Sequence, residues 1–263
     1  MKTPKIMTLL SDFGTTDPYV GVMKGAIARI NPSVTVIDLT HDLPPQNLQA
    51  ARFCLLSSYA YFPQGTVHVA VVDPGVGSSR RAIALQLPGA FLIGPDNGLF
   101  SGILAQEPIL AAVELTNPRY WRTPDVSQTF HGRDIFAPAG AHLASGVPMA
   151  ELGRAIAPET LVQLPLADYR QEPDRIQGTL QYIDRFGNLI TNIPGDLVSG
   201  KSWFVKLADQ KIQGDRTYAS SPVGSAIALV GSHGYIEIAV NQGNAQQQLQ
   251  LDWGATIQVM IAL

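Results

Sequence analysis

The stretch TVHVAVVDPGVG, residues 66–77, decides the fold. Its first seven residues form a β-type run, and the run breaks at Asp73, Pro74 and Gly75, residue types that turn a chain. Working outward, the same unit of strand followed by polar loop recurs. Residues 5–10 read as a strand leading into SDFGTTD (11–17), and residues 35–39 as one leading into THD (40–42). Residues 82–87 and 91–94 read as two more, joined by Pro88 and Gly89, with PDNG (95–98) following. Helical patterns fall between them. Residues 19–30 are stopped at Asn31 and Pro32, because proline disfavours helix for the residue before it, and residues 47–61 end near Pro63 and Gly65. This alternation predicts an α/β domain with a mainly parallel sheet covered by helices. In such sheets ligands bind just outside the carboxyl ends of the strands. Any one of these loops is ordinary turn material, but four in the same topological position point to one shared site.

After about residue 165 the texture changes. LPLADYRQEPDR (164–175) is polar and carries two prolines, so it reads as a linker. From residue 176 the runs are short and β-like: GTLQYID, NLITNI, WFVKLA, AIALVG, YIEIAV and TIQVMI. This predicts a smaller all-β, barrel-like domain. The expected organisation is an α/β domain over 1–165, a linker over 166–175 and a β-barrel over 176–263. The glutamine-rich stretch QGNAQQQLQ (242–250) reads as a surface turn.

Of the 263 residues, 46% are hydrophobic and 15% charged, which argues for packed cores and against disorder. A net charge of −3, with no run of Lys or Arg, leaves no electrostatic footprint for nucleic acid. The apolar stretch 6–10 is too short for a signal-peptide core, and no apolar run approaches the ~20 residues of a membrane helix. A soluble, cytoplasmic protein is therefore expected, with no membrane partner. The single cysteine, Cys54, has no intrachain partner and reads as a buried small hydrophobe.

GxSxG, HExxH, CxxC and the phosphate-binding P-loop are all missing, and the glycines after Asp73 do not complete GxGxxG. His41 and Asp42 are the nearest candidates for a metal site and lack further ligands at suitable spacing, so no metal is expected. Asp73 closes an apolar strand at the ligand-binding edge, Arg80 and Arg81 follow its loop, and FHGRD (130–134) places His131 just ahead of a helical run. An Asp, an Arg and a His converging on one pocket could orient a water and take its proton. The guanidinium would favour developing hydroxide, and either the imidazole or the carboxylate would accept the proton. The alternative is an Asp–Arg salt bridge beside a helix-capping histidine, and spacing alone does not choose between them.

SDFGTTDPYVGVMKG, THDLPP, FPQGTVHVAVVDPGVGSSRR, GPDNGL, FHGRDIFAPAGAHLASG, IDRFGNLITNI and GSHGYIEIAVNQG together closely resemble the S-adenosylmethionine (SAM) hydroxide adenosyltransferases. These are SAM hydrolases related to the fluorinase and chlorinase. The resemblance implies water attack on the ribose C5′ of SAM, releasing adenosine and L-methionine, with SAM as substrate and no cofactor. It also implies a homotrimer with each site between the first domain of one subunit and the second domain of the next. The family's Asp–Arg–His set falls on Asp73, Arg80 and His131. By the same resemblance Asp12 holds the ribose diol, Phe186, Asn188 and Tyr218 surround the adenine, and Asp184 and Ser232 bind the methionine amine and carboxylate. Asn97 and Asn241 line the pocket or serve as turn residues. Fluorinase-like enzymes carry a tyrosine at the Asp73 position, a Tyr-Ser type pair for the His-Gly pair, and, in the fluorinase, a long insertion before the PDNG-like block. This sequence has none of the three, so a halogenase is disfavoured. A SAM- or adenosine-binding module without turnover is the remaining alternative.

Overall fold

β1 (Ile6–Ser11) is buried along nearly its whole length because it has a strand on either side. In the computed structural model, which describes residues 5–165, 167–207 and 210–261, the chain divides into two units, 1–165 and 166–263. The first carries β1, α1 (Tyr19–Ile30), β2 (Thr35–Thr40), α2 (Leu48–Leu56), β3 (Thr66–Val71), β4 (Ala82–Gln86) and β5 (Ala90–Pro95). It continues through α3 (Ser101–Leu104), β6 (Ala111–Glu114), α4 (Ala137–Ala144) and β7 (Arg154–Ala155).

The sheet order is β2-β1-β3-β5-β4-β6-β7. β2, β1, β3 and β5 are parallel, as the alternation of strands and helices predicts, whereas β4 is antiparallel to β5 and β6. The reversal has a local cause. The β4–β5 connection is a tight turn in which the Leu87 amide donates to the Ala90 carbonyl (2.9 Å), too short for a parallel crossover. The chain leaves β1 for β2 on one side and comes back to β3 on the other, so the carboxyl ends of β1 and β3 flank a topological switch point. Because β4 runs backwards, Ala82 pairs with Pro95, and the residues just ahead of β4 arrive at the same edge.

α4 packs on β1, β3 and α1, burying Met7, Leu9, Met23, Ile27, Val69, Phe136 and Ala139 in one cluster. Each fully buried large side chain of this kind stabilises the fold by about 1.5–3 kcal/mol. α2 is shorter than the expected 47–61. The Ser57 and Ser58 hydroxyls both donate to the Cys54 carbonyl (3.2 and 2.6 Å), competing with the helix ladder, and a separate 3₁₀ turn follows at Tyr59–Tyr61. Cys54 itself is half-buried rather than fully buried.

The second unit carries β8 (Arg170–Gln171), β9 (Arg175–Ile183), β10 (Leu189–Pro194), β11 (Trp203–Leu207) and β12 (Gln210–Gln213). β13 (Ala226–Val230), β14 (Tyr235–Val240), α5 (Ala245–Leu249) and β15 (Thr256–Ile261) complete it. Its antiparallel sheet runs β12-β11-β15-β9-β10-β14-β13, and a bridge between Gly214 and Ala228 draws the two outer strands together into a nearly closed barrel. Two expectations are corrected. Residues 170–171 of the expected linker pair with β9, while residue 166 lies outside the described residues. The stretch 242–250 holds α5 instead of a simple turn, because Asn244 caps it by accepting from the Gln247 amide (2.8 Å). The last residue of the expected WFVKLA strand, 208, also lies outside the described residues.

Candidate active site

Asp73 stands two residues past β3, where its carbonyl accepts from the Val76 amide (3.1 Å) in the turn that Pro74 and Gly75 impose. The loop is drawn tight at Gly77, whose φ of +77° and 2.3 Å clearance from the Gln128 carbonyl to any Cβ admit only glycine. Arg80 then folds back over Asp73. Its Nε donates to both carboxylate oxygens (2.9 and 3.0 Å), and its Nη2 donates to Asp73 Oδ2 as well. The same Nη2 donates to His131 Nδ1 at 2.7 Å. Carboxylate, guanidinium and imidazole thus form one hydrogen-bonded chain. The side chains of Asp73 and Arg80 are only 5% and 10% exposed, so solvent screens the pair weakly. His131 makes no capping hydrogen bond, which removes the capping alternative. Arg81 is turned away, with Nε on Asp96 Oδ2 (2.8 Å) and Nη1 on Thr160 Oγ1 (2.9 Å).

His131 is aimed by a wide π-helical turn at Gly132–Phe136, closed by the Ala137 amide on the Gly132 carbonyl. Pro138 has no N–H to offer the Asp134 carbonyl, which accepts from the Arg122 amide instead (2.9 Å). The fully buried Asp134 side chain anchors the turn, accepting from Arg122, from Arg133 Nε and Nη2 (2.7 and 2.8 Å) and from the Ser127 amide (2.9 Å). Burial pushes the Asp134 carboxyl up, but these guanidinium and amide hydrogen bonds outweigh it and hold the group well below the usual carboxylate range. His131 is held below its ordinary value, first by burial and then by the Arg80 charge, against the opposing pull of Asp73 and Asp134. The shift favours the neutral imidazole over the imidazolium.

Asp73 and His131 open into a cleft of about 410 Å³ that Asp12, Gln46 and Thr129 also line. Asp12 Oδ2 accepts from the Gln46 amide (2.7 Å). Its loop is clamped by His41, whose Nδ1 lies 2.7 Å from Ser11 Oγ and whose carbonyl accepts from the Gly14 amide (2.8 Å). His41 Nε2 meets Asp38 Oδ1 at 3.1 Å, so this imidazole braces the loop. The cleft has an aromatic wall that sequence reasoning missed. Phe13, Tyr19 and Phe130 pack ring against ring at centroid separations of 5.3–5.9 Å. All three lie inside the motif blocks, which was the available signal. Asn97 does not line this cleft. Its Nδ2 donates to the Val72 carbonyl (2.8 Å), tying the loop after β5 to the end of β3.

In the second unit, Asp184 builds the β9–β10 turn. Its Oδ1 accepts from the amides of Phe186 and Asn188 (2.9 Å each), and its Oδ2 accepts from Asn188 Nδ2 (3.0 Å). The turn buries Asn188 and leaves the Phe186 ring 75% exposed. Tyr218 donates to Glu237 Oε1 (2.7 Å), a buried carboxylate that His233 Nε2 also approaches (3.1 Å). Burial and Glu237 push the Tyr218 phenol up, so it stays protonated. Ser232 is exposed in the β13–β14 turn, and Asn241 Nδ2 donates to the Ser221 carbonyl (2.6 Å).

Comparison with known proteins matches residues 7–153 to the SAM hydroxide adenosyltransferase N-terminal domain and residues 178–258 to the C-terminal domain. An (R)-S-adenosyl-L-methionine hydrolase of Thermus thermophilus is 42% identical over 259 residues, covering 95% of this chain and 98% of its own. A fluorinase of Nocardia brasiliensis is 27% identical, covering 97% of each chain. Among solved structures, an uncharacterized conserved protein from Thermotoga maritima superposes with a TM-score of 0.91 at 33% identity, covering 97% of this chain and 99% of its own.

Proposed function

Because this chain belongs to the SAM hydroxide adenosyltransferase family, we propose that it hydrolyses SAM to adenosine and L-methionine by in-line attack of water on the ribose C5′. The observation that carries the reading is the hydrogen-bonded Asp73–Arg80–His131 chain at the edge of a cleft that also holds Asp12. A sulfonium is already an activated leaving group, so no acid is needed on the sulfur side. The protein's work is to align one water and to manage its proton. A half-buried carboxylate at Asp12 suits a ribose diol, which would give it two charge-assisted hydrogen bonds. Phe186, Asn188 and Tyr218 are assigned to the adenine, and Asp184 and Ser232 to the methionine amine and carboxylate. The bonds of Asn97 and Asn241 to backbone carbonyls favour a scaffolding part for these two.

SAM is the substrate, and the reaction calls for no further cofactor. The homotrimer and the cytoplasmic setting implied by the resemblance are part of the same proposal. Among the described residues no helix is long and apolar enough to cross a membrane. A halide nucleophile is disfavoured by the Asp73 carboxylate in the cleft. Like charges about 4 Å apart repel by roughly 4 kcal/mol at an effective dielectric near 20. Incubation with SAM and halide salts, followed by chromatography, separates the readings. Equimolar adenosine and methionine are expected. Tight adenosine binding without methionine release would sink the hydrolase reading, and a 5′-halo nucleoside would replace it with the halogenase.

A further inference from the structure

We propose that His131 is fixed as the Nε2–H tautomer, donating a hydrogen bond to the attacking water, while Asp73 Oδ1 takes the water's proton. The identity of the nucleophile rests on the hydrolase reading; the tautomer follows from geometry alone. A guanidinium carries five N–H donors, has no acceptor and does not deprotonate in proteins. Arg80 Nη2 sits 2.7 Å from His131 Nδ1, so Nδ1 must supply the accepting lone pair. The neutral ring then has its one proton on Nε2. Nε2 is buried without a hydrogen-bond partner among the described residues, on a side chain that lines the cleft. A buried donor of that kind calls for an acceptor, and the attacking water is the acceptor the proposal gives it.

The two oxygens of Asp73 are not equivalent. Oδ2 receives both Nε and Nη2 of Arg80, while Oδ1 shares only the Nε hydrogen. Oδ1 therefore keeps the freer lone pair. As the water oxygen bonds to C5′, the C5′–S bond breaks and its electron pair goes to sulfur, giving the methionine thioether. The attacking oxygen becomes an oxonium, a strong acid, so a carboxylate is base enough to receive its proton. The O–H electron pair stays on oxygen as the 5′-hydroxyl of adenosine. Sulfonium and carboxylate lose their opposite charges together, and Asp73 later returns its proton to solvent. If His131 were the base, Nε2 would need the lone pair and Nδ1 the proton, setting an N–H against the N–H of Arg80. The imidazolium would do the same. The charged groups facing His131 are Arg80, Asp73 and Asp134; burial and Arg80 disfavour the imidazolium more than the two carboxylates favour it.

Nitrogen NMR on the full chain labelled at histidine, without substrate, reads the tautomer directly. The Nε2–H pattern is expected across the pH range of activity, and an Nδ1–H or doubly protonated ring there overturns the proposal. His131→Gln supplies a carboxamide that can accept from Arg80 and donate to water but cannot take a proton. Its kcat is expected to fall about tenfold, the worth of one weakened hydrogen bond. Asp73→Asn is expected to lose about a hundredfold or more, the usual contribution of a general base, with adenosine affinity changed only a few-fold. A loss in His131→Gln as deep as in Asp73→Asn overturns the proton assignment. A chain that shows the Nε2–H tautomer yet releases no methionine overturns the hydrolase reading, and with it the water's role, while the tautomer stands.

Discussion

Replacing Arg80 by methionine keeps most of the side chain's length and its packing on the Phe136 ring, over which the guanidinium carbon lies 5.3 Å from the centroid. The fork is lost. Asp73, 5% exposed, is left without the cation that gives it three hydrogen bonds. Breaking one partner out of a buried ion pair costs about 3–5 kcal/mol. Asp73 lines the cleft, so water can reach it, which places the expected cost at the low end, about 3 kcal/mol. For a protein of this size each kcal/mol moves Tm by about 2–4 °C, so Arg80→Met should melt about 6–12 °C below the wild type. Circular dichroism melting at about pH 8 is the assay. Arg80→Lys should recover part of the loss, because an ammonium restores the charge but cannot serve both carboxylate oxygens and Nδ1 from one plane. A fall of less than about 2 °C, under 1 kcal/mol, would refute the reasoning. It would mean that the Asp73 carboxylate is well hydrated in the folded state and that the three residues are not a rigid unit.

Asp134→Asn removes the charge facing Arg122 and Arg133 and should cost about 2–4 kcal/mol in urea unfolding, with kcat falling more than substrate affinity; an unchanged kcat would show that the π-helical turn aims His131 without it. His68 is fully buried, and burial pushes its pKa down to about 4. Between the unfolded value near 6.5 and that folded value, the unfolded chain carries a proton that the folded one lacks, so stability falls as pH drops, by up to about 3 kcal/mol. Urea midpoints for wild type and His68→Gln from about pH 7 to pH 4 should diverge; parallel curves would contradict the assignment. Gly187 has a φ of +82°, and a Cβ there would lie 2.2 Å from the Asn244 side chain, so Gly187→Ala should destabilise the second unit by about 2 kcal/mol or more, read by thermal unfolding.

Most of the architecture is legible because it depends on local chemistry. The strand runs, the Pro and Gly breaks and the polar loops locate β1, β2, β3 and β5 and the sheet edge where Asp12 and Asp73 lie. In the sequence, only the family resemblance singles out Arg80 over Arg81. Its physical reason appears only in three dimensions, where Arg81 is drawn off by Asp96 and Thr160. Asp134 carries no assignment in the sequence, because nothing local announces the π-helical turn or the burial of its carboxylate. Asp184 and Asn188 illustrate the same limit. Their types suit a polar ligand, but their hydrogen bonds build the β9–β10 turn, and a sequence motif does not separate these two uses. α5 escapes a reading of the 242–250 stretch by composition, because what starts it is the Asn244 side chain capping its first turn.

The most direct test of the central claim is turnover of SAM in oxygen-18 water, with mass spectrometry of both products. Direct attack on C5′ predicts one heavy oxygen in adenosine, at the 5′-hydroxyl, with unlabelled methionine in equal amount. Adenosine without the label, or label in methionine, would contradict a water held by Asp73 and His131 as the nucleophile.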